Sequence, residues 1–214
     1  PGGTEVCVRC HAPRAFLDGL GDATQLEDLP EAYRQGIDCA LCHRMQDDGE
    51  TPAGNAQYVL HDAAGSVVPF FGPWSYDGAE LVPPHETAAS QWLGESRLCG
   101  TCHDVSTERE RVDAEGRSLG TPFNEQRTYS EWLRSDYAQA GAGFATCQDC
   151  HMPAVEEVAG CAVFSEQGLR HAQGGRRHEM LGANRFMLSL LRELYSSDIG
   201  GPVPDEMFLQ ALER

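Results

Sequence analysis

Eight of the nine cysteines fall into four Cys-x-x-Cys pairs, and histidine follows each pair at once. The four runs are Cys7-Val8-Arg9-Cys10-His11, Cys39-Ala40-Leu41-Cys42-His43, Cys99-Gly100-Thr101-Cys102-His103 and Cys147-Gln148-Asp149-Cys150-His151. Several chemistries use thiols at this spacing. Tetrahedral zinc knuckles do, but zinc asks for no histidine at the next position. A redox dithiol needs one pair between a strand and a helix, not four pairs dispersed along a chain. A disulfide closed over two residues is strained and removes little loop entropy. With only eight histidines in 214 residues, four such adjacencies lie far beyond coincidence.

Porphyrin attachment uses all three residues. Two thiols a helical turn apart each add to one of the two vinyl groups on a porphyrin edge, and the adjacent imidazole falls under the iron. Each motif therefore predicts one covalently held haem c. The attaching residues are Cys7, Cys10, Cys39, Cys42, Cys99, Cys102, Cys147 and Cys150, and the proximal iron ligands are His11, His43, His103 and His151. Four histidines remain for four distal positions: His61, His85, His171 and His178. The match predicts bis-histidine, six-coordinate irons, with His178 and His85 the strongest distal candidates. Methionine competes poorly, because none lies between Met45 and Met152. Met45, Met152 and Met180 remain as local candidates, although Met152 directly follows a proximal histidine and cannot reach across the same iron. Bis-histidine ligation predicts lower potentials than histidine–methionine ligation.

The elements that carry these residues read as helices separated by long loops. The proximal histidines fall at unequal intervals, and no internal repeat joins them beyond the motif itself. With 23 glycines and 12 prolines, helices cannot occupy the whole chain. Apolar spacing predicts helices over 90–98, 128–140 and 183–195. The stretch 57–85, with Val67-Val68-Pro69-Phe70-Phe71-Gly72-Pro73-Trp74, reads as an irregular loop draped on a haem edge in preference to a short strand pair. At the end of the chain, 204–214 reads as the start of an amphipathic helix, with Asp205 and Glu206 favouring its first turn, which docks on a partner or continues. Aromatic residues make up only 8% of the chain, so four porphyrins are expected to supply much of the core, and the apoprotein is not expected to fold. The expected fold class is mainly α with extensive loops and little β, organised around four covalently bound haems. The expected division is a haem-bearing domain over 1–182 and a C-terminal helical segment over 183–214.

Composition narrows the partners. The chain has 16 basic and 33 acidic residues, a net charge of −17 and a 41% hydrophobic fraction, which suits one soluble domain or two small ones. No apolar run approaches the ~20 residues that span a bilayer. A polyanion repels nucleic acid. The expected partners are redox proteins with a basic docking face, and haem propionates add further negative charge unless Arg170, Arg176 and Arg177 neutralise them. The alternative for that arginine cluster is a solvated loop. Haem attachment of this kind takes place outside the cytoplasmic membrane, so the protein is expected to be exported, to a periplasmic or extracellular location. The start at Pro1 fits a processed or incomplete terminus. Cys161, outside the motifs, reads as a buried thiol or a link to another chain.

Beyond the motifs, two stretches carry a resemblance. One is Leu98-Cys99-Gly100-Thr101-Cys102-His103-Asp104-Val105. The other is Tyr129-Ser130-Glu131-Trp132-Leu133-Arg134-Ser135-Asp136-Tyr137, leading into Cys147-Gln148-Asp149-Cys150-His151-Met152-Pro153. From Cys7 to about Asn184 the chain resembles the tetrahaem c-type cytochromes related to the electron acceptor of hydroxylamine oxidoreductase. The resemblance implies closely spaced haem pairs, mostly bis-histidine irons and sometimes one open iron. It also points to His85 and His178 as distal ligands. The family's Trp-x-x-Ser-x-His pattern reads Trp132-Leu133-Arg134-Ser135-Asp136-Tyr137 here, so one iron is ligated from elsewhere or is five-coordinate. Related nitrite reductases use a Cys-x-x-Cys-Lys site, and this chain has no lysine. Hydroxylamine oxidation needs a tyrosine crosslinked to a special haem, for which Tyr129 or Tyr137 alone is weak support. The expected role is a multihaem electron carrier and not an enzyme. The alternatives are part of a larger oxidoreductase acting on small nitrogen or sulfur compounds, or a subunit of an extracellular cytochrome filament or other homopolymer.

Overall fold

A computed structural model describes residues 3–21, 28–61, 67–77, 83, 85–156, 158–159, 170–171, 174–178, 180 and 185–194. The chain divides into two compact units: Pro1–Thr146 with Ala162–Leu169, and Cys147–Cys161 with Arg170–Arg214. The first three motifs belong to the first unit and the fourth to the second. This division falls ahead of the fourth motif, whereas the sequence reading put its boundary at 182.

In the first unit, helix α1 (Gly3–His11) carries the first motif. Its Glu5 and Arg9 form an i,i+4 ion pair at 2.5 Å, the spacing that brings side chains together on one helix face. Helix α2 (Pro13–Leu17) follows, with proline at its start, where the missing N–H costs nothing. Val8, Ala12, Ala15 and Leu29 bury together, with Phe16 and Tyr33 packed around them. Helix α3 (Cys39–Arg44) carries the second motif, and Asp38 caps it by accepting from the Leu41 N–H at 2.9 Å. Leu41 and Met45, four residues apart, bury against Trp92 with Tyr58, Leu60 and Leu98 around them.

The stretch expected to be an irregular loop holds short strands. β1 (Met45–Gln46) pairs antiparallel with β2 (Val59–Leu60), and β3 (Phe70–Gly72) pairs parallel with β4 (Thr87–Ala89). Each strand takes its partner from outside its own neighbourhood, which local turn signals do not report. The helix expected over 90–98 is two pieces. A 3-10 turn covers Trp92–Gly94, and α4 (Ser96–Gly100) runs into the third motif.

The longest regular structure follows that motif. Strands β5 (Val105–Val112) and β6 (Ser118–Gln126) form an antiparallel hairpin with irregular register, closed by the Val105–Gln126 pair. Most of its residues are exposed. Helix α5 (Thr128–Arg134) and a 3-10 turn at Asp136–Ala138 occupy the region expected as one helix over 128–140. Ser135, in extended backbone, separates the two.

In the second unit, α6 (Cys147–His151) carries the fourth motif. Strand β7 (Ala154–Val155) pairs with β10 (Gly175–Arg176), and β8 (Val158–Ala159) pairs with β9 (Arg170–His171). Helix α7 (Arg185–Leu194) lies within the expected 183–195, with Phe186 and Leu194 exposed. Among the described residues the strands form five two-stranded sheets, more β-structure than the sequence led us to expect. No helix among them is long and apolar enough to cross a membrane. Residues 204–214 and Cys161 lie outside the described residues.

Candidate functional site

Each motif begins or ends a short helix, so its two cysteines and its histidine leave the backbone within about one turn. Among the described residues no disulfide joins any of the eight motif cysteines, which lie at exposed or half-buried positions. A buried thiol could not meet a bulky planar electrophile, and these can. Burial raises the Cys42 thiol above its ordinary range, with Asp38 adding to the effect.

Three motifs converge in the first unit. The neighbouring Cys10 thiol, and after it burial, push the ionisation of Cys102 well upward. Cys42 adds a smaller electrostatic contribution at Cys102, as does Cys99. Tyr58 is held neutral chiefly by burial and then by the nearby Cys102 and Cys10. Its ring meets Phe16 edge-on, with centroids 6.3 Å apart.

The backbone after the second motif is clamped to the third. Asn55 N–H donates to Asp104 O at 3.0 Å, and Ala56 N–H donates to Thr101 O at 2.8 Å. Asn55 Oδ1 accepts from Ser106 N–H at 2.9 Å. Gly54 makes this approach possible: its φ is +110°, and a Cβ there would stand 2.5 Å from Asp104 O. On the other side of the third motif, Asp104 is buried and accepts from Ser130 N at 3.3 Å and Ser130 Oγ at 2.7 Å. Arg127 lies 3.5 Å from the same carboxylate and donates to Ser106 Oγ and Ser130 Oγ. Helix α5 is thereby tied to the exit of the motif.

The histidines are oriented through Nδ1. His43 Nδ1 lies 2.6 Å from the Phe71 carbonyl oxygen, an acceptor only, so this nitrogen carries the proton and Nε2 keeps a lone pair available to a metal. His103 Nδ1 faces Nε2 of the Gln126 side-chain amide at 3.1 Å. Of the distal candidates, His61 has Nδ1 at 3.3 Å from Gln46 Oε1, and its ring meets Phe71 at 5.4 Å. His85 Nδ1 lies 3.1 Å from the Glu86 carbonyl oxygen, with Phe70 at 4.8 Å. Strand β3 therefore gathers His43, His61 and His85 around Phe70 and Phe71.

In the second unit, β10 returns to the fourth motif. Arg176 Nη1 donates to the carbonyls of Gln148 at 2.9 Å and Met152 at 3.1 Å, and its Nη2 pairs with Asp149. It caps the end of α6. The guanidinium is engaged by protein through Nη1 and Nη2 while staying partly exposed. His178 follows, anchored near the motif by Arg177 N–H donating to Pro153 O at 2.9 Å. His171 sits on β9 opposite Val158. His11 and His151 close their motif helices.

Two further observations bear on a bound group. The buried donors Arg44 Nε, Tyr58 OH and Trp92 Nε1 meet no hydrogen-bond acceptor among the described residues. Leaving such a donor unmet costs about 1–3 kcal/mol, and a carboxylate-bearing ligand or ordered water satisfies it. The buried apolar residues described are few and mostly small, with Trp92 the largest, while Phe123, Phe144 and Phe186 stay exposed. A core this thin gains from large apolar cofactors. Reachable paired thiols, Nδ1-held imidazoles, unmet donors and a thin core all fit porphyrin. No group of three or more His, Cys, Asp and Glu side chains among the described residues is arranged to hold a bare metal ion.

Phe71, Gln126, Arg44, Tyr58 and Trp92 were not singled out by sequence reasoning as contributors to the site. Nothing local marks them, because they act through contacts made by folding. Comparisons with family models, with curated proteins and with solved structures give no match for this chain.

Proposed function

We propose that this chain is a tetrahaem c-type cytochrome that carries electrons between redox partners and acts outside the cytoplasmic membrane. The observation that carries the reading is the fourfold placement of two cysteines and a histidine on, or directly after, a short helix. The thiols of each pair would hold haem by adding to its two vinyl groups, one C–S bond per thiol with the thiol hydrogen going to the neighbouring vinyl carbon, so attachment would consume no oxidant. When bound, haem supplies reversible one-electron chemistry at its iron.

The chain's own residues do the rest. The motif histidines would hold the iron, and the Phe71 carbonyl fixes the His43 ring in the tautomer whose Nε2 lone pair can bind it. Cys10 and Cys102 are near neighbours, which favours a short transfer distance between the first and third attachment points. No residue of the site has to move a proton. The net charge of −17 steers a basic partner toward the protein and makes that association salt-sensitive.

Absorption spectra of the reduced and oxidised holoprotein test the assignment. An electron carrier with saturated irons gives low-spin spectra that do not change on adding carbon monoxide or nitrite. A ligand-sensitive haem would instead place the chain among the enzymes.

A further inference from the structure

We propose that Gln126 is a positioning residue for the third attachment site, where its side-chain amide holds Nδ1–H of His103 and so sets the reduction potential of the iron bound there. The inference rests on the haem reading above. His103 leaves the end of the third motif, and the hairpin that begins two residues later returns to it. Its closing pair, Val105 with Gln126, brings Gln126 Nε2, one end of the side-chain amide, to 3.1 Å from His103 Nδ1. Arg127 bonds to Ser106 and Ser130 and pins the chain at the next residue. A segment that runs out for some twenty residues thus delivers one polar side chain back to the ring it started from.

The direction of the effect follows from hydrogen-bond chemistry. If His103 binds iron through Nε2, Nδ1 carries the proton and needs an acceptor. The structure sets Nε2 of Gln126 against this nitrogen; a half-turn of the amide about its terminal bond exchanges the two ends, and Oε1 then accepts from Nδ1–H. An acceptor on Nδ1–H makes the imidazole a stronger donor to iron, favours the ferric state and lowers the potential. At His43 the corresponding partner is the Phe71 backbone carbonyl, which no substitution removes directly. At His103 the partner is a side chain, and the site can be tuned.

The test compares wild-type holoprotein with Gln126→Glu and Gln126→Leu by spectroelectrochemical titration. Glutamate is a stronger acceptor and leucine none. One of the four Nernst components is expected to move down in Gln126→Glu and the same component up in Gln126→Leu, with the other three in place. No movement in either variant, or movement of both in one direction as general loosening would give, overturns the inference. If Gln126→Leu fails to fold, the near-isosteric glutamate variant decides alone. Peptide mass mapping separates the two layers: haem absent from Cys99 and Cys102 of the wild type overturns the haem reading itself, whereas full attachment with unmoved components overturns the role of Gln126 alone.

Discussion

Gly100 lies inside the third motif, and its replacement by alanine tests whether α5 is packed on that motif as described. A Cβ at position 100 would stand 2.8 and 2.7 Å from Cδ1 and Cδ2 of Tyr129, and closer still to Cγ. These atoms sit at the root of the ring, so the ring cannot swing aside, and the Tyr129 N–H is itself held by the His103 carbonyl at 3.0 Å. Overpacking of this kind costs about 1–3 kcal/mol, and the gain from replacing glycine in a helix offsets about 0.5–1 kcal/mol of it. With the contact at the severe end, Gly100→Ala should destabilise the holoprotein by ~2 kcal/mol, which lowers Tm by roughly 4–8 °C for a chain of this size. Gly94→Ala is the control, because nothing lies within 4 Å of the added carbon there. Denaturant melts followed by circular dichroism in the wild-type and Tyr129→Ala backgrounds give the coupling directly. The cost of Gly100→Ala should vanish without the ring. An equal cost in both backgrounds would refute the packing of Tyr129 on the motif.

Other consequences can be checked separately. Asp104→Ala removes the acceptor shared by Ser130 and Arg127, and should cost about 1–3 kcal/mol in the same melts. The Asp48 carboxyl is held down to about 2, first by the Thr51 hydroxyl and then by the backbone N–H groups of Thr51 and Glu50. A depressed folded-state value means that its contribution to stability is fully present above the unfolded value of about 4 and is lost as pH falls through about 2. The carboxyl ¹³C shift of Asp48 against pH in the reduced protein should titrate at that low value, and a midpoint near 4 would contradict the turn. Reduction by a cationic one-electron donor should slow as ionic strength rises, while an anionic donor should speed up. A donor rate independent of salt would remove the steering argument.

What the sequence made legible was chemistry held within five residues. Cysteine and histidine identities name the candidate attachment sites without any knowledge of the fold. Helix α7 was legible because Phe186, Met187, Leu190, Leu191 and Leu194 recur at helical spacing. Helix α5 was only partly so, since 128–140 keeps its aromatic residues at Tyr129, Trp132 and Tyr137 while the backbone turns extended at Ser135. The hairpin over 105–126 was missed because both of its faces are mostly polar and exposed, so Val105-Ser106-Thr107-Glu108-Arg109-Glu110-Arg111-Val112 lacks the apolar alternation that marks a half-buried strand. The Asp113–Gly116 turn was its local signal: Gly116 N–H donates to Asp113 O, and Gly116 has a φ of +80°. The residues that orient the histidines were beyond reach for another reason. Phe71 is 28 residues from His43 and Gln126 is 23 from His103, and only the paired strands bring them back.

The account stands on covalent porphyrin at all four motifs, and the intact mass of the mature holoprotein, read beside a pyridine haemochrome assay, addresses that most directly. The predicted result is the chain mass plus four haems, with every Cys-x-x-Cys thiol consumed and only Cys161 still able to react with a thiol reagent after unfolding. A colourless protein at the bare chain mass, or one carrying zinc on those cysteines, would contradict it.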